Sequence, residues 1–164
     1  MVDRKQFVAP SGDRIDGVRL KPLRVIPDER GHLMEMLRRD DDLFVGFGQV
    51  YLTTTYPGVV KAWHYHERQT DHMVCVKGML KVALYDDREG SPTRGMVNQF
   101  FLGEHAPSLL QVPAGVFHGW MCVSPDEAYV INVASEPYDH ARPDEFRVDP
   151  HDNDILYAWA RQDG

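Results

Sequence analysis

The chain has 164 residues, 43% hydrophobic and 26% charged, with a formal net charge of -7 at pH 7. That is enough for one globular domain spanning 1–164 and too little for a second full one. The acidic balance argues against general affinity for nucleic acid or anionic membrane, which both draw on basic surface, and is compatible with a local basic pocket for a phosphorylated ligand. The opening MVDRKQFVAP lacks the apolar core of a leader, and no apolar run approaches the ~20 residues a membrane helix needs, so a cytoplasmic location is expected.

Glycine and proline fall between short apolar runs rather than inside long ones, which predicts an all-β domain. Residues 18–26 and 32–38, separated by the turn 27–31, are early strands expected at a sheet edge. Residues 47–56, dense in β-branched and aromatic side chains, form a strand closed by Pro57-Gly58. Strands at 60–66, 73–76 and 79–85 follow, the last two joined at Lys77-Gly78, short enough for a tight hairpin. The polar run 86–95 is a long loop, and strands at 97–102, 108–112, 116–123 and 128–134 complete the set. Only 143–160 has modest helical character. Turns at intervals of about ten residues indicate a sandwich or barrel, which gathers inward side chains around one cavity. Cys75 and Cys122 sit in predicted strands without metal-type spacing and read as reduced core thiols.

The densest chemistry lies in GVVKAWHYHERQTDHMVCVKG, residues 58–78. On a strand, i and i+2 share a face, so His64 and His66 project together while Trp63 and Tyr65 pack on the other side. The spacing Gly58, His64, His66, Asp71, Gly78 resembles the first signature of the cupin barrels, with Asp71 where glutamate is usual. Pro113-Ala114-Gly115-Val116-Phe117-His118 resembles part of the second, with Cys122 at the usual asparagine and Pro107 at the usual glycine. His64, His66, Asp71 and His118 make a donor set suited to a divalent Fe, Mn, Ni or Zn ion, or else hydrogen-bonded groups of a pocket wall.

Further landmarks are Asp28-Glu29-Arg30-Gly31 with Glu35, Phe47-Gly48-Gln49, Lys61-Ala62-Trp63-His64, the run from Asp87 to Gly95, and Gly119 after His118. With them, residues 17–159 resemble the dTDP-4-dehydrorhamnose 3,5-epimerases, cupin-fold isomerases of 4-keto-6-deoxy nucleotide sugars that require no cofactor. The resemblance implies a double-stranded β-helix (jelly-roll) barrel whose N-terminal strands exchange across a homodimer, which would also cover edge strands. It implies that His64 is the base removing protons at C3 and C5, alpha to the C4 ketone, with His118 lining the pocket. Arg30 and Glu35 would bind nucleotide, often from the neighbouring subunit, while Gln49 and Lys61 would hold base and diphosphate. Arginine is usual at Lys61; lysine neutralises phosphate without bidentate geometry. Trp120 is either a stacking platform or a core aromatic.

Several positions depart from that family. Asp71 stands where a lysine stabilises the enolate oxyanion, and a carboxylate there would repel it. His66 replaces a common glutamine. Asn132 occupies the place of the proton-donating tyrosine; an amide can bind substrate but supplies no proton, which leaves Tyr138 or a water as donor. The aspartate that pairs with the base has no match, Asp152 and Asp154 being the nearest and more suited to the surface. Three readings follow: a nucleotide-sugar epimerase with a rebuilt centre, a metal-dependent cupin isomerase or dioxygenase, and a non-catalytic sugar-binding cupin. A bound cation polarising the ketone would make Asp71 catalytic and reconcile the first two.

Overall fold

The computed structural model describes residues 13–163, so the MVDRKQFVAP segment read above lies outside the described residues. The regular elements are β1 (Arg19–Pro22), β2 (Val25–Asp28), β3 (Gly31–Met34), β4 (Gln49–Thr55), β5 (Val60–Tyr65) and β6 (Asp71–Lys77). They continue with β7 (Met79–Asp86), β8 (Val97–Gly103), β9 (Ser108–Val112), β10 (Val116–Cys122), β11 (Ala128–Ala134) and β12 (Phe146–Arg147). Two five-stranded antiparallel sheets run in the orders β1-β9-β6-β11-β4 and β12-β5-β10-β7-β8, and β2 and β3 form a separate hairpin. No helix is long and apolar enough to cross a membrane among the described residues.

The strand expected at 32–38 ends at Met34 and lies in the separate β2–β3 hairpin rather than at the edge of a larger sheet, and three further expectations need correction. The single strand at 18–26 is two, because Pro22 has no N–H to extend the β1 ladder and Leu23 turns in, its N–H donating to Pro107 O at 2.9 Å. The hairpin expected across Lys77-Gly78 does not form: β6 pairs with β9 and β11, and β7 with β8 and β10. Gly78, at φ 72°, instead carries the chain from one sheet to the other. Residues 143–160 form no helix. Pro143 and Pro150 interrupt the segment, and Asp149 Oδ1 accepts from the N–H groups of His151 and Asp152 in a turn. After that turn Ile155, Tyr157 and Trp159 are buried alternately with exposed neighbours, a period of two rather than 3.6.

Apolar residues collect in three layers. Between the sheets lie Met73, Leu110 and Val130 of one and Leu80, Val82 and Leu84 of the other, with Cys75 and Cys122 as free buried thiols among them. The outer face of the second sheet is closed by Tyr157 and Trp159 packing on Trp63, with ring centroids 5.7 and 5.1 Å away. On the outer face of the first, Val74 and Leu109 are covered by Leu23 and Leu43 with Met34 and Leu37. Each fully buried Val or Leu contributes about 1.5–3 kcal/mol of transfer free energy, so both covering segments are fixed to their sheets by burial.

Two local features prepare the site. Asp86, buried at the end of β7, accepts from Arg88 Nε at 2.9 Å and from Ser91 Oγ and Thr93 Oγ1 at 2.6 Å each. The 86–95 loop is therefore wound around one carboxylate. Between β10 and β5 the register shifts: His118 faces His64, but Trp120 faces Lys61. The bulge brings the backbone of Gly119 so close to β5 that a Cβ there would lie 2.3 Å from Ala62 Cβ.

Candidate active site

His64 projects from β5 at the point where its ladder with β10 places His118 directly opposite. Its ring centroid is 4.1 Å from His118 and 5.7 Å from Trp120, which stands edge-on to it, so an imidazole and an indole clamp it. Burial, then the nearby His118, holds the His64 imidazole well below its usual pKa, outweighing the pull of Asp71. It is consequently a neutral imidazole at physiological pH.

Behind it lies Asp71, at 1% exposure. Its Oδ1 accepts from Gln69 Nε2 at 2.7 Å and Asn132 Nδ2 at 2.8 Å, while Oδ2 lies 3.3 Å from His66 Nε2 and 3.0 Å from His118 Nε2. Burial opposes ionisation of this carboxyl, but the two imidazoles outweigh burial and hold it well below the carboxylate range. For His66, burial is likewise overcome by Asp71 and by the carbonyl of Asp144, which raise its pKa. Asp144 is anchored in turn, its carboxylate accepting the backbone N–H groups of Glu67, Arg68 and Gln69. His118 Nδ1 is 3.0 Å from Val116 O, which can only accept, so that nitrogen carries a proton.

These groups border a cavity of about 730 Å³, within the usual range of small-ligand sites. One wall is the first sheet, with Gln49, Tyr51 and Thr53; the other is the second, with Lys61, His64 and Trp120. Residues 136–150 supply the rim, including Tyr138, Glu145 and Arg147. Lys61 Nζ donates to Thr53 Oγ1 at 3.0 Å and to Thr54 O at 2.6 Å, tying the two sheets together at the cavity. Arg147 is the register partner of His64 on β12 and forms an ion pair with Glu145. The Arg68 side chain lines the cavity with no ion-pair partner among the described residues.

The family model for dTDP-4-dehydrorhamnose 3,5-epimerase matches residues 13–163. The chain belongs to the dTDP-4-dehydrorhamnose 3,5-epimerase family. It is 42% identical over 140 residues to the probable low-salt glycan biosynthesis epimerase Agl13 of Haloferax volcanii, covering 84% of this chain and 89% of that one. It is 39% identical over 145 residues to the spore coat polysaccharide biosynthesis protein SpsL of Bacillus subtilis, covering 88% and 96%. Among solved structures, a dTDP sugar isomerase from Desulfovibrio desulfuricans G20 superposes with a TM-score of 0.85 at 34% identity, over 91% of this chain and 94% of that one.

In this member of the epimerase family the expected residues fall into three groups. Gln49, Lys61, His64, His66, Trp120 and Tyr138 line the cavity. Asp71, His118 and Asn132, exposed by 1%, 1% and 3%, stand behind the wall instead. Ligand atoms of His64, His66, Asp71 and His118 do converge, all within 4.8 Å of one another. Arg30, in the β2–β3 turn, pairs with Asp28, and Glu35 pairs with Arg38; both lie outside the residues lining this cavity. Asp152 and Asp154 are exposed and do not reach His64. Trp120 is only 6% exposed, its Nε1 donating to Thr55 Oγ1 at 2.9 Å, so it is a cavity wall fixed in the core.

Sequence reasoning missed Tyr51, Arg68, Asp144 and Arg147. For Tyr51 a signal existed: Gln49, Tyr51 and Thr53 follow the period of two and share one face of β4. For Arg147 there was none, since its place depends on β12 pairing with a strand more than 80 residues earlier.

Proposed function

We propose that the protein epimerises a nucleotide-linked 4-keto-6-deoxy hexose, with His64 as the base that removes a proton alpha to the C4 ketone. The observation that carries this reading is His64 itself, an imidazole kept neutral by its surroundings at the wall of a ligand-sized cavity. Lys61, Arg68 and Arg147 line the same cavity and suit the diphosphate of the nucleotide and the developing enolate oxygen. Asp71 stands behind the wall, its Oδ1 accepting from two amides and its Oδ2 lying beside two imidazoles, which moderates its opposition to that charge. Its work is to hold His66 and His118 in place. Exchange of N-terminal strands in a homodimer fits the exposure of Val25, Ile26 and Leu33 on the β2–β3 hairpin, and would carry Arg30 and Glu35 to a partner's cavity.

A second reading is favoured by the convergence of donor atoms within 4.8 Å: a divalent Fe, Mn, Ni or Zn ion on His64, His66, Asp71 and His118, which would polarise the ketone. The outer contacts are compatible with an ion: Asp71 Oδ1 accepts from two amides and His66 Nδ1 faces the Asp144 carbonyl, which leaves Asp71 Oδ2 and His66 Nε2 as ligand atoms. Incubation with dTDP- and UDP-linked 4-keto-6-deoxy hexoses in deuterated water separates the readings. We expect deuterium at C3, C5 or both, unaffected by prior dialysis against chelator, and a drop of about 10³-fold in His64→Asn. Absence of exchange with every ketosugar would sink the epimerase reading, loss on chelation would favour the metal, and any turnover excludes a purely sugar-binding role.

A further inference from the structure

The base on one wall of the cavity raises the question of what stands on the other. Inversion at a carbon needs a proton removed from one face and returned to the opposite one, hence an acid across the substrate from the base. His64 belongs to β5 in the second sheet, and Tyr51 to β4 in the first, and both line the same cavity. Along β4, Tyr51 is the register partner of Asn132 on β11.

Hydrogen bonding fixes the state of the phenol. Asn132 Oδ1 accepts from the backbone N–H of His72 at 3.0 Å, which orients the amide so that Nδ2 points the other way. One Nδ2 hydrogen goes to Asp71 Oδ1 and the other to the Tyr51 hydroxyl oxygen, each at 2.8 Å. The phenol oxygen therefore accepts from Asn132, and among the described residues nothing accepts its own O–H. That hydrogen is left to point into the cavity. The residue as a whole is 40% exposed.

We propose that Tyr51 is the acid that protonates the enolate on the face opposite His64, an assignment that rests on the epimerase reading. The balance is complete with water alone. His64 takes the proton from the carbon alpha to the ketone, and the C–H electron pair becomes the enolate. As the ketone reforms, the carbon takes the Tyr51 proton on its other face, leaving a phenolate that the Asn132 amide stabilises by its N–H. The phenolate then regains a proton from solvent, and the His64 imidazolium loses one to it. Burial, followed by the charge of Asp71, pushes the phenol up to about 12, which keeps it protonated between turnovers.

The test is Tyr51→Phe with a dTDP-4-keto-6-deoxy hexose in deuterated water, following deuterium uptake and epimer formation separately. We expect deuterium to enter substrate with its configuration retained, because His64 still removes and returns the proton on its own face. Epimer formation should fall by about 100-fold or more, with KM within about threefold. Retained exchange also certifies that the variant is folded around its base. Epimer formation near the wild-type rate would overturn the assignment, as would a loss confined to Tyr138→Phe. Loss of exchange together with product would make Tyr51 a positioning residue and overturn it too. If the wild-type protein exchanges no proton with any ketosugar, the epimerase reading itself has failed, which His64→Asn as a parallel control keeps distinct.

Discussion

At the scale of single residues, the centre is a set of exchanged roles. Asp71, which by family likeness should repel an enolate, is buried behind the cavity wall and accepts from Gln69 and Asn132. Asn132, an amide where a phenol was expected, donates to the phenol of the strand beside it. Positive charge beside His64 comes from Arg147, which is ion-paired with Glu145, has His64 as its register partner, and helps depress the His64 pKa. An enolate oxygen forming beside His64 would feel that same guanidinium more strongly than the neutral ketone does, which is the condition for lowering a barrier. Arg147→Gln should therefore lower kcat for proton exchange by about 10- to 100-fold, or ~1.4–2.7 kcal/mol. An unchanged kcat with a raised KM would instead place Arg147 on the diphosphate. His64 and His66 were legible together because the i, i+2 rule is local, and Asp71 and His118 joined them only through the resemblance to the cupin signatures. The Tyr51–Asn132 contact was not legible, since it links positions 81 apart through a ladder register that no local pattern encodes.

Among elements, the central strands were read within a residue or two, since alternation and turn residues are local signals. What escaped was the partition between sheets. β6 and β7 are contiguous except for Gly78, and local geometry favours a hairpin, yet each strand has better partners elsewhere, in β9 and β11 and in β8 and β10. Likewise the segment carrying Ile155, Tyr157 and Trp159 follows a strand period, and its burial against Trp63 decides its shape. The β5–β10 bulge is the element on which the site depends most. Because a Cβ on Gly119 would come within 2.3 Å of Ala62 Cβ and 2.8 Å of Lys61 O, Gly119→Ala must push β5 outward. We expect a loss of about 1–3 kcal/mol in urea melts. Exchange activity should fall further than stability alone explains, because His64 and Lys61 ride on the displaced strand. A variant with wild-type stability would show that β5 yields without resistance.

For the whole molecule, the buried histidines and carboxylates make stability a function of pH with a sign that can be worked out. The folded-state pKa of His64 is depressed, so below about 6.5 the unfolded chain binds a proton that the folded one refuses, and stability falls as pH drops. His66 is the reverse: with its folded pKa raised, its contribution is complete below about 6.5 and is lost as pH rises through the raised value. Asp71 and Asp86, both depressed, contribute fully above the ordinary carboxylate pKa of about 4 and lose that contribution only in stronger acid. Together they predict a stability maximum near the unperturbed imidazole pKa, with a gentle decline on either side and a steep one in strong acid. Each histidine limb can be no steeper than one proton allows, ~1.4 kcal/mol per pH unit. Urea melts from pH 5 to 8 should show the acid-side decline flattened in His64→Asn and the alkaline-side decline flattened in His66→Gln, whatever either substitution does to the height of the curve. Slopes that match the wild type in both variants would mean that the two imidazoles titrate in the fold as they do in the open chain, and the neutral base assigned to His64 would lose its physical footing.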